Sequence, residues 1–308
     1  MTGRRGSRLV KSEKLKVGCE IAKGKKLRCD LAGNPEGRTL VFSHLTILCY
    51  NTIMKKLIIG NWKMYPASMK DAKAKFAGIK KVASTLRNVQ TVVCPPFVYA
   101  SELKKLVTGH RCVVGAQNTW FENEGAYTGE VSPSMLASLG LQYVIIGHSE
   151  RRAIGESDEL VNKKVLAGVK AGLTVVLCVG EGERDPDGEY VKHIAGQLKM
   201  ALHGIQKKDL AQVVIAYEPI WAIGKNALRA ASTDDALEVS IFIKKTLADL
   251  YGGKDGASVL ILYGGSVDAK NAWEFLLKSQ VDGLLVGRAS LDPKVFGEIL
   301  MSAEKTKV

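Results

Sequence analysis

The sequence predicts an α/β fold, a closed (β/α)8 barrel with an irregular N-terminal extension, and three observations carry that reading. From Met54 onward, short runs rich in Val, Ile and Leu alternate with longer segments of helical periodicity, as in a parallel sheet covered by helices. Eight such runs can be counted, and no G-x-G-x-x-G follows the first, which favours closure over an open doubly wound sheet. The chain has 308 residues, 46% of them hydrophobic, enough for one barrel of roughly 250 residues plus a tail.

The expected strands are 56–61, 91–94, 112–116, 143–147, 174–179, 213–217, 259–264 and 283–286. Each is a short apolar run bounded by polar or glycine-containing sequence, the form a strand buried on both faces takes. Between them, 67–86, 157–171, 233–250 and 269–279 place apolar residues at three- and four-residue steps, with Lys and Glu on the other face. Domain organisation follows: residues 1–53 form a basic N-terminal extension and residues 54–308 the barrel.

The extension fits no such plan. Lys, Arg and Gly are frequent up to Arg38, no sustained period appears, and Met54-Lys55-Lys56 reads as a second natural start. The segment is therefore read as disordered or as the product of an upstream start codon. An organelle-targeting peptide or a basic arm for nucleic acid are the sharper alternatives. Glu13, Glu20, Asp30 and Glu36 weigh against targeting, and the scarcity of aromatics before Phe42 weighs against base stacking.

Net charge is +13, but residues 1–53 hold 11 Lys and Arg against 4 Asp and Glu, while the remainder holds 33 against 27. The barrel surface thus mixes both signs, which does not mark a phosphate-backbone footprint, and no nucleic-acid partner is expected. Six cysteines lack the paired short spacing of zinc sites and are sparse for a disulfide scaffold, so a reducing cytoplasm is the default compartment. Cys94, Cys112 and Cys178 sit in or beside apolar runs, as small buried hydrophobes do. The apolar stretch 39–50 is interrupted by Ser43, His44 and Thr46 and is too short to span a bilayer.

Four of the apolar runs break off into dense polar clusters. They are Leu57-Ile58-Ile59-Gly60-Asn61-Trp62-Lys63, Val144-Ile145-Ile146-Gly147-His148-Ser149-Glu150-Arg151, Ala216-Tyr217-Glu218-Pro219-Ile220-Trp221-Ala222-Ile223-Gly224 and Leu260-Ile261-Leu262-Tyr263-Gly264-Gly265-Ser266. Polar groups at the carboxyl ends of parallel barrel strands converge on one rim, where barrel enzymes keep their chemistry. Glu218 stands where a buried strand ends and a lid-like loop begins, the position of a catalytic base with a cover. Its plainer alternative is a strand-end Glu paired with a surface Lys.

Taken together, Gly60-Asn61-Trp62-Lys63-Met64, Gly147-His148-Ser149-Glu150-Arg151-Arg152, Tyr217 to Gly224, and Tyr263-Gly264-Gly265-Ser266-Val267 closely resemble the triosephosphate isomerase family, from Met54 to about Ala303. Gly115-Ala116-Gln117-Asn118 and Gly125-Ala126-Tyr127-Thr128-Gly129-Glu130-Val131-Ser132 match as well, the latter resembling the family's dimer loop. The resemblance implies a homodimeric, cofactor-free enzyme that interconverts dihydroxyacetone phosphate and D-glyceraldehyde 3-phosphate through an enediolate, with no membrane association. That chemistry needs a base, an electrophile at the carbonyl oxygen, a grip on phosphate and exclusion of water.

By this resemblance Glu218 is the base, His148 the neutral electrophile, and Lys63 the electrostatic anchor, with Asn61 orienting Lys63 and the substrate. Gly224, Ser266, Gly287 and Arg288 would surround the phosphate, largely through backbone N–H groups. Glu150 is either a proton relay or the partner that holds Lys63 or Arg151, and the second is favoured. Arg151 and Arg152 are read as ion-pair formers at the dimer face. Thr128 would reach the neighbouring subunit's site. Two stretches depart from the family pattern. The lid from Lys225 to Ser232 is about two residues longer than usual, and Arg288 replaces a common Gly; outward it leaves its backbone N–H for phosphate, inward it could bind phosphate directly or block the site, and the outward placement is favoured. The competing readings are another phosphosugar isomerase or epimerase on the same barrel, and a catalytically dead barrel whose basic tail binds nucleic acid.

Overall fold

The computed structural model of the chain describes the backbone of three short N-terminal strands and residues 55–306 apart from 186, 225, 226 and 228. The chain divides into two units, Met1–Ile53 and Met54–Val308. In the first, β1 (Val17–Ala22), β2 (Lys26–Leu31) and β3 (Leu40–Phe42) pair antiparallel in that order. The extension of irregular sequence therefore carries three strands that its composition does not announce. The readings of disorder and of an upstream start for the rest of 1–53 lie outside the described residues.

The second unit is built on eight parallel strands: β4 (Lys56–Asn61), β5 (Val89–Cys94), β6 (Cys112–Val114), β7 (Tyr143–Ile146), β8 (Thr174–Val179), β9 (Val213–Tyr217), β10 (Leu260–Tyr263) and β11 (Gly283–Val286). They pair in the order β6-β5-β4-β11-β10-β9-β8-β7. A parallel bridge between Ala116 and Val144 joins the two ends of that order, so the sheet closes on itself. There the Ala116 N–H donates to the Tyr143 carbonyl at 2.8 Å and the Ile145 N–H to the Ala116 carbonyl at 2.9 Å. Closure gives every strand two neighbours and leaves no edge to protect.

Side chains alternate between two buried environments. Leu57, Ile59, Val92, Ile145, Val176 and Leu262 pack with their inward neighbours into a cluster that fills the barrel interior. Their outward neighbours, Ile58 and Val93 among them, join the helices in a larger cluster. Burial on both faces is why the strands read as continuous apolar runs and not as alternating ones.

The helices follow in chain order as α1 (Met69–Ala83), α2 (Phe97–Lys105), α3 (Pro133–Ser138), α4 (Ser149–Ala153), α5 (Asp158–Lys170), α6 (Glu189–Ala201), α7 (Thr233–Tyr251), α8 (Gly253–Ser258), α9 (Ala272–Lys278) and α10 (Pro293–Lys305). Local chemistry starts several of them. Ser68 caps α1 by accepting the Asp71 N–H at 3.2 Å, and Asp292 caps α10 by accepting the Lys294 N–H at 2.8 Å. Helix α1 buries Ala72, Phe76, Ile79 and Ala83, one stripe at three- and four-residue steps. Burial of a side chain such as Phe76 contributes about 2 to 3 kcal/mol.

The four periodic segments noted in the sequence became α1, α5, α7 and α9. Helices α2, α3, α6, α8 and α10 lie outside those segments, and α2, α3 and α8, of 9, 6 and 6 residues, are too short for a sustained period. Cys94, Cys112 and Cys178 are buried thiols; burial raises the pKa of each, that of Cys112 to about 12. Among the described residues, no helix is long and apolar enough to cross a membrane.

Gly283 marks how closely the strands approach at the N-terminal end of β11, because a Cβ there would lie 1.8 Å from the Leu57 carbonyl oxygen. A backbone atom of a central strand cannot yield as a flexible side chain would. Gly283→Ala is therefore expected to cost about 3 kcal/mol or more of stability, read as a lowered urea midpoint. An unchanged midpoint would show that β11 can shift away from β4.

Candidate active site

The alternation inside the barrel continues past the strand ends, and that places the polar residues. Asn61 lies two residues beyond Ile59, Glu218 two beyond Ala216, Gly264 two beyond Leu262 and Gly287 two beyond Leu285, each following an interior residue. Asn61, Glu218, Gly264 and Gly287 accordingly line one cavity of about 360 Å³ at the carboxyl rim, and Lys63 and His148, from the loops after β4 and β7, line it too. Gly224, Ser266 and Arg288 line the same cavity. Glu150 stands beside it, paired with Lys63, while Thr128 lies on an exposed loop apart from it.

His148 and Glu218 are in direct contact. His148 Nε2 lies 3.0 Å from Glu218 Oε1, and Glu218 Oε2 accepts the Ser149 N–H at 2.9 Å. The other ring nitrogen, Nδ1, accepts the Glu150 N–H at 3.2 Å. An amide donor aimed at Nδ1 leaves no place for a proton there, so the ring's hydrogen is assigned to Nε2 and donated to the carboxylate. His148 itself is the residue that precedes α4, and its ring does the capping for that five-residue helix.

Burial works against charge on both groups. For His148 the Glu218 carboxylate outweighs burial and the Lys63 ammonium, and the pKa is raised. For Glu218, burial is opposed by His148 and by the Ser149 amide, and the pKa is lowered. The raised value of the ring belongs to the contact and not to the ring's own surroundings, which disfavour the imidazolium. Gly264 makes room for the carboxylate, because a Cβ there would stand 3.0 Å from Glu218 Cγ.

Lys63 occupies a left-handed backbone conformation, φ 53°, at a cost on the order of 1 kcal/mol for a residue with a Cβ. Neighbours hold it there. Its N–H donates to Asn61 Oδ1 at 3.0 Å, and its carbonyl accepts from Gln117 Nε2 at 2.8 Å. The preceding Trp62 is fully buried and donates from Nε1 to the Ser290 carbonyl at 3.1 Å, tying the loop after β4 to the loop after β11. The ammonium lies 2.6 Å from Glu150 Oε1, a half-exposed pair of small energetic value that a stronger anion can displace.

Arg151 and Arg152 turn away from the cavity. Arg152 donates to the Gly147 carbonyl at 2.8 Å and pairs with Asp158 at 2.5 Å, while Arg151 lies 3.4 Å from buried Glu156. Arg288 is exposed at the start of a short 3-10 turn, Arg288–Leu291, at the cavity wall.

Another buried carboxylate stands beside the loop that follows Glu218, outside the motifs singled out in the sequence. Glu181, 1% exposed, accepts from Tyr217 Oη at 2.8 Å and from Trp221 Nε1 at 2.7 Å, anchoring the start of the loop that follows Glu218. Burial raises its pKa, and these two donors pull the other way. A signal existed: the apolar run of β8 breaks off at Gly180-Glu181 just as that of β9 breaks off at Glu218. Arg184, which pairs with Asp235 and Glu238 at the start of α7, had no comparable signal. The loop tip falls on Lys225, Asn226 and Leu228, outside the described residues.

Comparison with known proteins bears on this arrangement. The family model described as triosephosphate isomerase matches residues 56–303. The chain is 43% identical to the protein named triosephosphate isomerase of Thermoanaerobacter pseudethanolicus over 248 residues, 80% of this chain and 98% of that one. It is 42% identical to that of Carboxydothermus hydrogenoformans over 251 residues, 80% and 98% of the two chains. With that of Aquifex aeolicus the identity is 41% over 251 residues, 81% of this chain and all of the relative.

If the Glu218 carboxylate is the main cause that raises the His148 pKa, Glu218→Gln leaves burial and Lys63, which lower it, opposed only by the weaker pull of the Glu150 carboxylate 3.9 Å from Nδ1. NMR titration of the imidazole should then give a pKa below that of the unsubstituted protein. An equal or higher value would remove Glu218 as the cause.

Proposed function

Because the chain belongs to the triosephosphate isomerase family, whose members interconvert dihydroxyacetone phosphate and D-glyceraldehyde 3-phosphate, we propose that Glu218, His148 and Lys63 perform that isomerisation in the rim cavity. The observation that carries the reading is the contact of His148 Nε2 with Glu218 Oε1 at 3.0 Å inside a cavity that Lys63 also lines. Base and electrophile are each other's partner until a substrate comes between them.

The triose enters with its phosphate toward Ser266, Gly287 and Arg288 and its carbonyl toward His148. The Nε2–H then donates to the carbonyl oxygen, and the Glu218 carboxylate, released from the ring, turns toward the adjacent carbon. It removes the proton from C1 of dihydroxyacetone phosphate, and the electron pair forms the enediolate. The hydroxyl proton of O1 passes to O2, and return of the carbon-bound proton to C2 gives the aldehyde, so no other reactant is consumed. With Glu218 drawn away, burial and the Lys63 ammonium favour the neutral imidazole against the weaker pull of Glu150, which suits a group that donates a hydrogen bond to the carbonyl oxygen. The ammonium offsets the charge of both phosphate and enediolate, and Asn61 orients it. Glu150 holds Lys63 until the substrate dianion arrives.

The loop after Glu218 acts as the lid. Gly224 is exposed at the cavity wall, and inward movement would bring its N–H to the phosphate and exclude water, strengthening each charge interaction.

We also propose a homodimer. Met64 is 91% exposed, Ile154 77% and Val98 75%, apolar side chains that a partner would cover. Met64 also lines a groove of about 290 Å³ with Gln117, Asn118 and Glu150, the proposed seat of the exposed loop that bears Thr128 from a second copy. The cytoplasm is the proposed compartment, a reading that the unpaired buried thiols support. Residues 1–53 are proposed as an extension separate from the catalytic barrel, and no nucleic-acid partner is proposed.

Glu218→Asp, which withdraws the carboxylate by one methylene, should lower kcat by about 100-fold or more while KM changes little. Steady-state kinetics in both directions reads this, and unchanged turnover removes Glu218 as the base. Specific activity should fall on dilution below the dimer dissociation constant, in step with the sedimentation coefficient; activity that persists in the monomer removes the Thr128 loop from the site.

A further inference from the structure

One buried side-chain amide stands outside the cavity lining yet is bonded, through a single peptide group, to the main chain of Glu218. Gln197 lies on the buried face of α6 and is 4% exposed. Its Oε1 accepts the Gly180 N–H at 2.9 Å. Gly180 is the first residue past β8, and the other half of the same peptide group is the Val179 carbonyl. That carbonyl accepts the Glu218 N–H at 2.8 Å. Bonds linked in this way polarise one another, so an acceptor at one end strengthens the contact at the other.

In a trans peptide the N–H and C=O point in opposite directions. The Gly180 N–H therefore points away from β9, to the side where β7 has already ended at Ile146, and Gln197 supplies the acceptor that a longer β7 would have offered. The orientation of the amide follows from its other contact. Gln197 Nε2 lies 3.1 Å from His193 Nε2, one turn earlier on α6. An amide nitrogen only donates, so the ring nitrogen accepts and Oε1 is assigned to Gly180. The peptide is also pressed against the residue it holds, because a Cβ at Gly180 would lie 1.8 Å from the Glu218 carbonyl oxygen. One step on, the Ile220 N–H donates to the Glu181 carbonyl at 3.0 Å. The pairing of β8 with β9 thus runs past both strand ends and carries Glu218 on its extension.

We propose that Gln197 is a positioning residue for the isomerisation: through the Val179–Gly180 peptide it fixes the main chain of Glu218, and with it the place of the carboxylate against His148. The inference rests on the reading of Glu218 as the base. Without the amide oxygen a buried N–H is left unpaired, and the peptide that holds the Glu218 N–H must turn to find another acceptor. A misplacement of about 1 Å costs about 100-fold in rate, so a smaller displacement of the base costs about tenfold.

The test compares the unsubstituted protein with Q197M, which keeps the length of the side chain and removes the acceptor, and with Q197E, which keeps an acceptor oxygen and has His193 beside it to meet the added charge. Each is assayed below the onset of its own unfolding. In Q197M kcat is expected to fall about tenfold with KM nearly unchanged. The His148 pKa, read by NMR titration, should fall as well, because the carboxylate that raises it has moved from the ring. Q197E should retain most of kcat and the His148 titration of the unsubstituted protein. A lowered urea midpoint with kcat and the His148 titration both unmoved in Q197M would make Gln197 a purely structural residue and overturn the proposal, as would a Q197E as slow as Q197M. If Q197M does not fold, Q197N, which draws the oxygen back by one methylene, carries the same expectations and the same refutation. If instead the unsubstituted protein lacks isomerase activity, it is the functional reading that fails, and the His148 titration in Q197M still decides whether Gln197 places the carboxylate.

Discussion

The two-residue pleat of a closed parallel barrel is the constraint from which the rest of this structure follows. With all strands parallel, every carboxyl end faces the same rim, and with the sheet closed by the Ala116–Val144 bridge, alternate residues must point inward. Interior packing fixes that phase through residues such as Ile59, Ala216, Leu262 and Leu285. One step further along each strand, the same phase delivers Asn61, Glu218, Gly264 and Gly287 into a common cavity. A one-residue slip in any strand would turn both its apolar core residue and its polar rim residue away, so core stability and site geometry share a single register.

Within the cavity the chemistry depends on groups that satisfy one another while available to the substrate. Glu218 is buried, yet its charge is held by the His148 N–H and the Ser149 amide. Nδ1 of His148 is occupied by the Glu150 amide, which assigns the ring proton to the nitrogen facing the carboxylate. Lys63 sits in a left-handed conformation that only its surroundings sustain, with Asn61, Gln117 and the Trp62–Ser290 tie on three sides. Strain at this position is a reasonable cost for an ammonium that must stand beside Gly287, where a Cβ would lie 3.5 Å from Lys63 Cε.

Around the loop after Glu218 the structure adds a second layer of fixed charge. Glu181 anchors Trp221, Asp235 caps α7, and two arginines meet at Asp235 from different elements. Glu181 and Trp221 lie 40 positions apart in sequence and Arg184 and Asp235 lie 51 apart, and they meet because β8, β9 and the start of α7 are neighbours in the barrel. The described ends of the loop are therefore tied to rigid elements, and Ser266 Oγ adds a further tie by donating to the Ala222 carbonyl at 3.1 Å.

The sequence alone determined the eight strands, their order and the polar residues at their ends, since burial on both faces forces unbroken apolar runs and the rim forces an abrupt change of composition. It carried Glu218, His148 and Lys63 through the ordered motifs around them. It did not disclose the three strands within residues 1–53, where no hydrophobic period marks the pairing, nor helices such as α6 and α10. Only the tertiary structure decided which ring nitrogen of His148 bears the proton, that Lys63 is held by Glu150, and that Glu181, Arg184, Arg229 and Asp235 form one assembly. The reason is physical: apolar periodicity is a local property written in neighbouring residues, whereas a hydrogen bond or ion pair across the rim exists only once closure of the barrel has brought distant strand ends within about 3 Å.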